Sequence, residues 1–151
     1  MKQPNPYILM LEDDEDDRDI TRSFFAENDH NIGLEFLTNS DDVLPFLRNC
    51  LTNGQPLPVL ILLDKNAPAG GGMDVLRQIK SHPALKMIPV VMISGSAFEA
   101  EVNESYRLGA NSYILKPASR EMTERKISNF LSYWLNSVEL PTASAFSSSV
   151  A

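Results

Sequence analysis

The chain has 151 residues, 43% hydrophobic and 22% charged, which suits one domain with its own core and excludes the compositional extremes of disorder and collagen. Its net charge of −7 has a local origin: Glu12, Asp13, Asp14, Glu15, Asp16, Asp17 and Asp19 supply seven of the 20 acids, leaving 13 acids against 13 bases elsewhere. There is no basic stripe for nucleic acid, no apolar run near the roughly 20 residues of a membrane span, and one cysteine (Cys50) with two histidines (His30, His82), too few for a disulfide or a Cys/His zinc site.

Residues 1–6 lack the layout of a signal peptide, so a cytoplasmic protein without membrane or nucleic-acid partners is expected. The apolar run 7–11 predicts a first strand, and Asp16 or Asp17 is placed to cap a helix running to about Asn28, with Ile20, Phe24 and Phe25 on one side. A short strand fits 34–37. Ser40, Asp41 and Asp42 mark a helix start, and Val43, Leu44, Phe46 and Leu47 give that helix a buried face. Asn53-Gly54-Gln55-Pro56 breaks the chain before a strand at 59–63.

Gly70, Gly71 and Gly72 predict a flexible loop, followed by an amphipathic helix through Met73, Val75, Leu76 and Ile79 to about Ser81, closed by His82-Pro83. A strand at 89–93 leads to a helix carrying Val102, Tyr106 and Leu108, stopped by Gly109 in a C-terminal cap position. The strand 113–115 follows at once. In the last helix Ile127, Phe130, Leu131, Trp134 and Leu135 recur at helical spacing. From Pro141 the composition turns to Ser, Ala and Thr, and a disordered tail is expected over 138–151. Five strands alternating with five helices define an α/β class with a doubly wound parallel sheet.

Four of the predicted strands end in polar residues suited to phosphate or its metal: Glu12 and Asp13, Asp64, Ser94 and Lys116. Parallel strands would align these endings along the carboxyl edge, where open α/β sheets bind ligands. Glu12, Asp13 and Asp64 would repel one another unless a cation neutralised them, and oxygen ligands with waters suit Mg²⁺, with the Asn66 main-chain carbonyl as a further donor. A carboxylate beside such an ion can attack a phosphoryl donor; Asp64 is the candidate nucleophile, with Ser94 and Lys116 offsetting charge on the transferred oxygens. Taken singly, an Asp after a strand is usually a turn or cap, and an acidic run is usually a solvated face; it is the joint placement that points to one site.

The segments Met10-Leu11-Glu12-Asp13-Asp14, Ile61-Leu62-Leu63-Asp64-Lys65-Asn66-Ala67-Pro68, Pro89-Val90-Val91-Met92-Ile93-Ser94-Gly95 and Gly109-Ala110-Asn111-Ser112-Tyr113-Ile114-Leu115-Lys116-Pro117 resemble the receiver domain of bacterial response regulators. The resemblance implies a flavodoxin-like, CheY-like five-stranded sheet in the order 2-1-3-4-5 over residues 5–137. It implies phosphoryl acceptance on Asp64 from a histidine kinase or phosphotransfer protein, with Mg²⁺ held by Asp13, Asp64 and the Asn66 carbonyl and Glu12 assisting through water. Ser94 and Tyr113 match the family's switch residues, Lys116 its lysine, and Asn66 and Ser96 the positions that set phosphate lifetime. Such a protein is a phospho-acceptor switch rather than an enzyme, beyond self-phosphorylation and self-dephosphorylation.

Two positions depart from the common pattern: Lys65 puts a cation beside the nucleophile, and the triple glycine replaces charged loop residues. No output domain is expected after the receiver, so the output is an unidentified protein partner met through the face of the fourth helix, fifth strand and fifth helix, which also suits a homodimer. Stand-alone receivers with Tyr133-Trp134-Leu135 in the last helix are similar to those paired with phytochrome-type kinases. Two alternatives stay open. One is a degenerate receiver that docks without phosphorylation. The other is a phosphatase of the haloacid dehalogenase type, which wants a second Asp where Asn66 stands.

Overall fold

The runs of Leu, Ile, Val and Met form a continuous parallel sheet in the computed structural model, which describes residues 5–27, 31–69 and 71–141. The strands are β1 (Tyr7–Leu11), β2 (Gly33–Leu37), β3 (Leu60–Asp64), β4 (Val90–Ser94) and β5 (Ser112–Leu115), in the order β2-β1-β3-β4-β5. The helices between them are α1 (Glu15–Glu27), α2 (Val43–Thr52), α3 (Gly72–Ser81), α4 (Glu99–Arg107) and α5 (Arg120–Ser132). The expected class and strand order are therefore found.

Because side chains alternate along a strand, the sheet sorts its apolar residues into two half-cores. Leu9, Leu11, Ile61, Leu63, Val90 and Met92 point to one face, where Val43, Leu47, Val75, Leu76 and Ile79 of α2 and α3 cover them. Ile8, Met10, Leu60, Leu62, Val91 and Ile93 point to the other, under Ile20 and Phe24 of α1 and Ile127 and Leu131 of α5. Every residue of β3 and β4 is buried, which explains why those strands read as unbroken apolar runs. Each fully buried Leu or Ile contributes about 1.5–3 kcal/mol.

Several boundaries differ from expectation. Helix α1 begins at Glu15, because Asp14, the first cap-competent residue after the turn, accepts from the Asp17 N–H at 3.0 Å; Asp16 and Asp17 lie inside the first turn, where the helix dipole favours them. The predicted end at Asn28 lies outside the described residues. Ahead of α2, Asn39 caps a 3₁₀ turn over Ser40–Asp42 by accepting from the Asp41 N–H at 2.9 Å, so the α-helix proper starts at Val43. β3 and β4 each begin and end one residue later than predicted and so include Asp64 and Ser94, whose side chains are buried by their neighbours at the sheet edge.

Gly72 is not loop but the first residue of α3, and the Gly71 N–H is held by the Ser40 hydroxyl at 3.2 Å; Gly70 lies outside the described residues. A Cβ on Gly72 would stand 2.9 Å from the Lys65 Cα, so the helix start needs the missing side chain to pass the end of β3. Gly109 takes the expected cap position with φ +108°. Tyr106 is exposed, and the one fully buried side chain of α4 is Ser105. After α5 the chain continues as a π-helical turn, Tyr133–Ser137, which keeps Trp134 and Leu135 packed partly against the second half-core. Of the predicted tail, residues 142–151 lie outside the described residues.

Candidate functional site

Strand register brings the predicted residues together. Leu11 lies opposite Leu63, Asp64 opposite Ile93 and Ser94 opposite Leu115, so the residues that leave β1, β3, β4 and β5 emerge side by side at the carboxyl edge. The backbone prolongs the ladder past the strands: the Glu12 N–H donates to Leu37 O, the Lys65 N–H to Ile93 O and the Lys116 N–H to Ser94 O. The side chains at this edge are thus positioned by sheet hydrogen bonds and not by free loops.

Glu12, Asp13 and Asp64 each offer a carboxylate oxygen, all within 4.8 Å of one another, an arrangement that could hold a metal ion. Glu12 and Asp64 are buried and Asp13 is exposed, so the cluster has a closed floor and an open side. The Lys116 ammonium donates to Glu12 Oε1 at 2.5 Å, to Asp17 Oδ2 at 2.9 Å and to Asp64 Oδ2 at 3.3 Å. All three ammonium donors are therefore used. Burial pushes the Glu12 carboxyl up to about 8, against the pull of Lys116 and with a further push from Asp64. Burial works to lower the Lys116 pKa, but the hydrogen bond and charge of Glu12, then Asp64 and Asp17, outweigh it and hold Lys116 above its ordinary value.

The Ser94 hydroxyl is fully buried and accepts from the Ser96 N–H at 3.1 Å and from the Asn66 side-chain amide at 3.3 Å. The Asn66 N–H donates to Asp64 Oδ1 at 2.9 Å, a tight turn that keeps residue 66 against the carboxylate. Tyr113 is half-buried, and its hydroxyl donates to the Ser96 carbonyl at 2.6 Å. All eight predicted site residues thus fall in one connected region.

Two contacts escaped the sequence. Asp17 is a candidate helix cap by sequence, yet in the first turn of α1 its carboxylate pairs with Lys116. Lys65 stands out in the sequence, but its partner, Glu101 of α4, does not: Lys65 Nζ lies 2.7 Å from Glu101 Oε2. Helical spacing alone could have flagged Asp17, which lies on the α1 face shared with Thr21 and Phe24, both buried. No local signal links residues 65 and 101.

A doubly wound parallel domain with an acidic cluster, a buried hydroxyl and a lysine at the carboxyl edge defines the class of receiver-like α/β domains. The Response regulator receiver domain profile matches residues 8–128, and the chain belongs to this family, acting as a receiver domain of two-component signalling. It is 33% identical over 141 residues to response regulator Rcp1 of a Synechocystis strain, covering 93% of this chain and 96% of that one. The crystal structure of the Mn²⁺-bound form of Rcp1 superposes with a TM-score of 0.85, covering 91% of this chain and 99% of that one at 33% identity. The phosphorylated cyanobacterial phytochrome response regulator RcpA is similar too, at 31% identity and a TM-score of 0.84, covering 91% of this chain and 99% of that one. Among the described residues, no helix is long and apolar enough to cross a membrane.

Proposed function

We propose that residues 5–137 form a phospho-acceptor switch in which Asp64 takes a phosphoryl group from a histidine kinase or phosphotransfer protein. The observation that carries this is the Lys116 ammonium shared between Glu12 and Asp64 inside a three-carboxylate cluster. An oxygen-only donor set that is part buried and part open fits a hard divalent cation such as Mg²⁺, held by Asp13, Asp64 and the Asn66 main-chain carbonyl, with Glu12 acting through water. Bound there, the ion would offset charge on the transferring oxygens.

In the transfer, an Asp64 carboxylate oxygen forms the new O–P bond while the P–N bond of the donor phosphohistidine breaks, and the leaving imidazole nitrogen keeps the electron pair and takes a proton from solvent. Ser94 donates its hydroxyl to a phosphoryl oxygen, and Lys116 turns from the carboxylates toward the same group. That movement of Ser94 breaks its hydrogen bonds with Ser96 and Asn66, and Tyr113, whose hydroxyl rests on the Ser96 carbonyl, is free to turn inward. Asn66 and Ser96 stand where they set water access to the acyl phosphate and hence its lifetime.

The similarity to phytochrome response regulators supports a kinase of that type as donor. With only self-phosphorylation and self-dephosphorylation as chemistry, the output passes to a protein partner through the α4, β5 and α5 face, which also offers a homodimer surface.

Incubation with Mg²⁺ and acetyl phosphate tests the proposal: an acid-stable, base-labile label on the wild type, absent from Asp64→Asn, is expected. Equal labelling of both proteins would refute it. A chain that neither binds Mg²⁺ nor responds to beryllofluoride would instead be a docking module.

A further inference from the structure

The geometry points to Lys65 and Glu101 as positioning residues that hold α4 and Ser96 in the unphosphorylated arrangement, released when a phosphoryl group on Asp64 competes for the Lys65 ammonium; this rests on the phospho-acceptor proposal above. Lys65 directly follows Asp64, and its side chain, 14% exposed, reaches across to Glu101 of α4 at 2.7 Å. Glu101 Oε2 also accepts from the Ser96 hydroxyl at 3.2 Å. Ser96 is a hub: its N–H donates to the Ser94 hydroxyl, its own hydroxyl donates to Glu101, and its carbonyl accepts from Tyr113. Both proposed switch side chains therefore hold on to a residue that the Lys65–Glu101 pair keeps in place.

The pair matters because α4 has little else to anchor it. Phe98 at its N-cap makes no side-chain cap hydrogen bond and is 68% exposed, and the helix buries one side chain completely, Ser105. Glu101 lies in the first turn, so the ion pair ties the free end of this helix to the end of β3. Phosphorylation of Asp64 adds about one negative charge beside Lys65, and an ammonium shared by two anions on different elements goes to the stronger one. Glu101, left without its cation, then lets go of Ser96 together with the start of α4.

The test is calorimetric titration of the full chain with beryllofluoride in saturating Mg²⁺, in wild type, Glu101→Gln, Lys65→Met and the double variant, with thermal melts to confirm folding. Glu101→Gln frees Lys65 for the fluoride group and is expected to bind about two- to fivefold tighter, the range that partly exposed ion pairs reach. Lys65→Met loses the attracting cation and gains nothing. In the Lys65→Met background, Glu101→Gln has no further effect.

A merely structural bridge would move both single variants in the same direction. Unchanged or weaker binding by Glu101→Gln, or an equal gain in the Lys65→Met background, overturns the proposal. Should Glu101→Gln melt below the assay temperature, Glu101→Ala is read in the same way. Wild type that binds no beryllofluoride removes the phospho-acceptor proposal and this one with it, whereas wild-type binding with no Glu101 effect removes only this one.

Discussion

Replacing Gly72 by Ala is expected to destabilise the protein and to disturb the site from outside it. The added Cβ would meet the Lys65 Cα at 2.9 Å, the Lys65 carbonyl oxygen at 3.2 Å and the Asp64 carbonyl oxygen at 3.3 Å. All three are backbone atoms, so no rotamer change relieves the overlap, and α3 or the end of β3 must shift. Overpacking of this kind costs about 1–3 kcal/mol. Removing a glycine from a helix returns at most about 1 kcal/mol, less at its first residue. The net loss is about 1–2 kcal/mol, which lowers the melting temperature of a chain this size by about 2–8 °C. Urea unfolding followed by circular dichroism, with unchanged slope and a lower midpoint, is the assay. Gly95→Ala is the control, because nothing lies within 4 Å of its added Cβ, and it should stay within about 0.5 kcal/mol of wild type. Because the displaced atoms belong to Asp64 and Lys65, Mg²⁺ affinity should fall in Gly72→Ala and not in Gly95→Ala. A Gly72→Ala protein as stable as wild type would refute the close approach of α3 to β3.

Lys116→Met removes the cation from three carboxylates, one of them fully buried, and should destabilise the metal-free chain by about 3–5 kcal/mol in urea, with Mg²⁺ restoring a larger share of stability than it adds to wild type. Asp17→Asn leaves Lys116 two partners and should cost no more than about 1 kcal/mol, a difference that shrinks when melts are repeated in high salt. The Lys65 hydrogen bond holds the Glu101 carboxyl below the usual carboxylate range in the folded chain. Its contribution to stability is thus present above the ordinary carboxylate pKa and lost as pH falls through the lowered value. Melts of wild type and Glu101→Gln should therefore differ at neutral pH and converge in acid.

The sheet was legible because each strand is a short apolar run, and burial on both faces of a parallel sheet demands such runs. The strand-end residues were legible for a related reason: a polar residue directly after such a run must lie at the carboxyl edge. Helix starts were less legible where several cap-competent residues stand in a row, as at Asp14, Asp16 and Asp17, since only the path of the chain leaving β1 selects among them. On α4 the residue turned inward is Ser105, while Tyr106 faces solvent and Leu108, just past the helix, packs against the first half-core. Gly72 could not be told from a loop glycine, because the need for it lies in the Lys65 backbone against which α3 packs. The partner of Lys65 on α4 is a long-range charge contact that no periodicity encodes, whereas for Lys116 the spacing places Asp17 on the inner face of α1 without naming the lysine it meets.

Those two contacts bear on how a charge event at Asp64 becomes a change of shape. Both lysines at the site are engaged by acids, and in each case one of those acids sits on a helix: Asp17 on α1 for Lys116, Glu101 on α4 for Lys65. A phosphoryl group on Asp64 would compete with both helices for their cations. The two helices are not equally held. α1 buries Ile20, Thr21 and Phe24, with the Thr21 hydroxyl bonded to the Asp17 carbonyl, so losing one ion pair leaves its packing intact. α4 buries one serine and has no side-chain cap, so the same loss would remove the ion pair that ties its first turn to the end of β3. Under the proposed switch, equal competition at the site would give unequal movement, concentrated at α4, which borders the face through which a partner is proposed to read it.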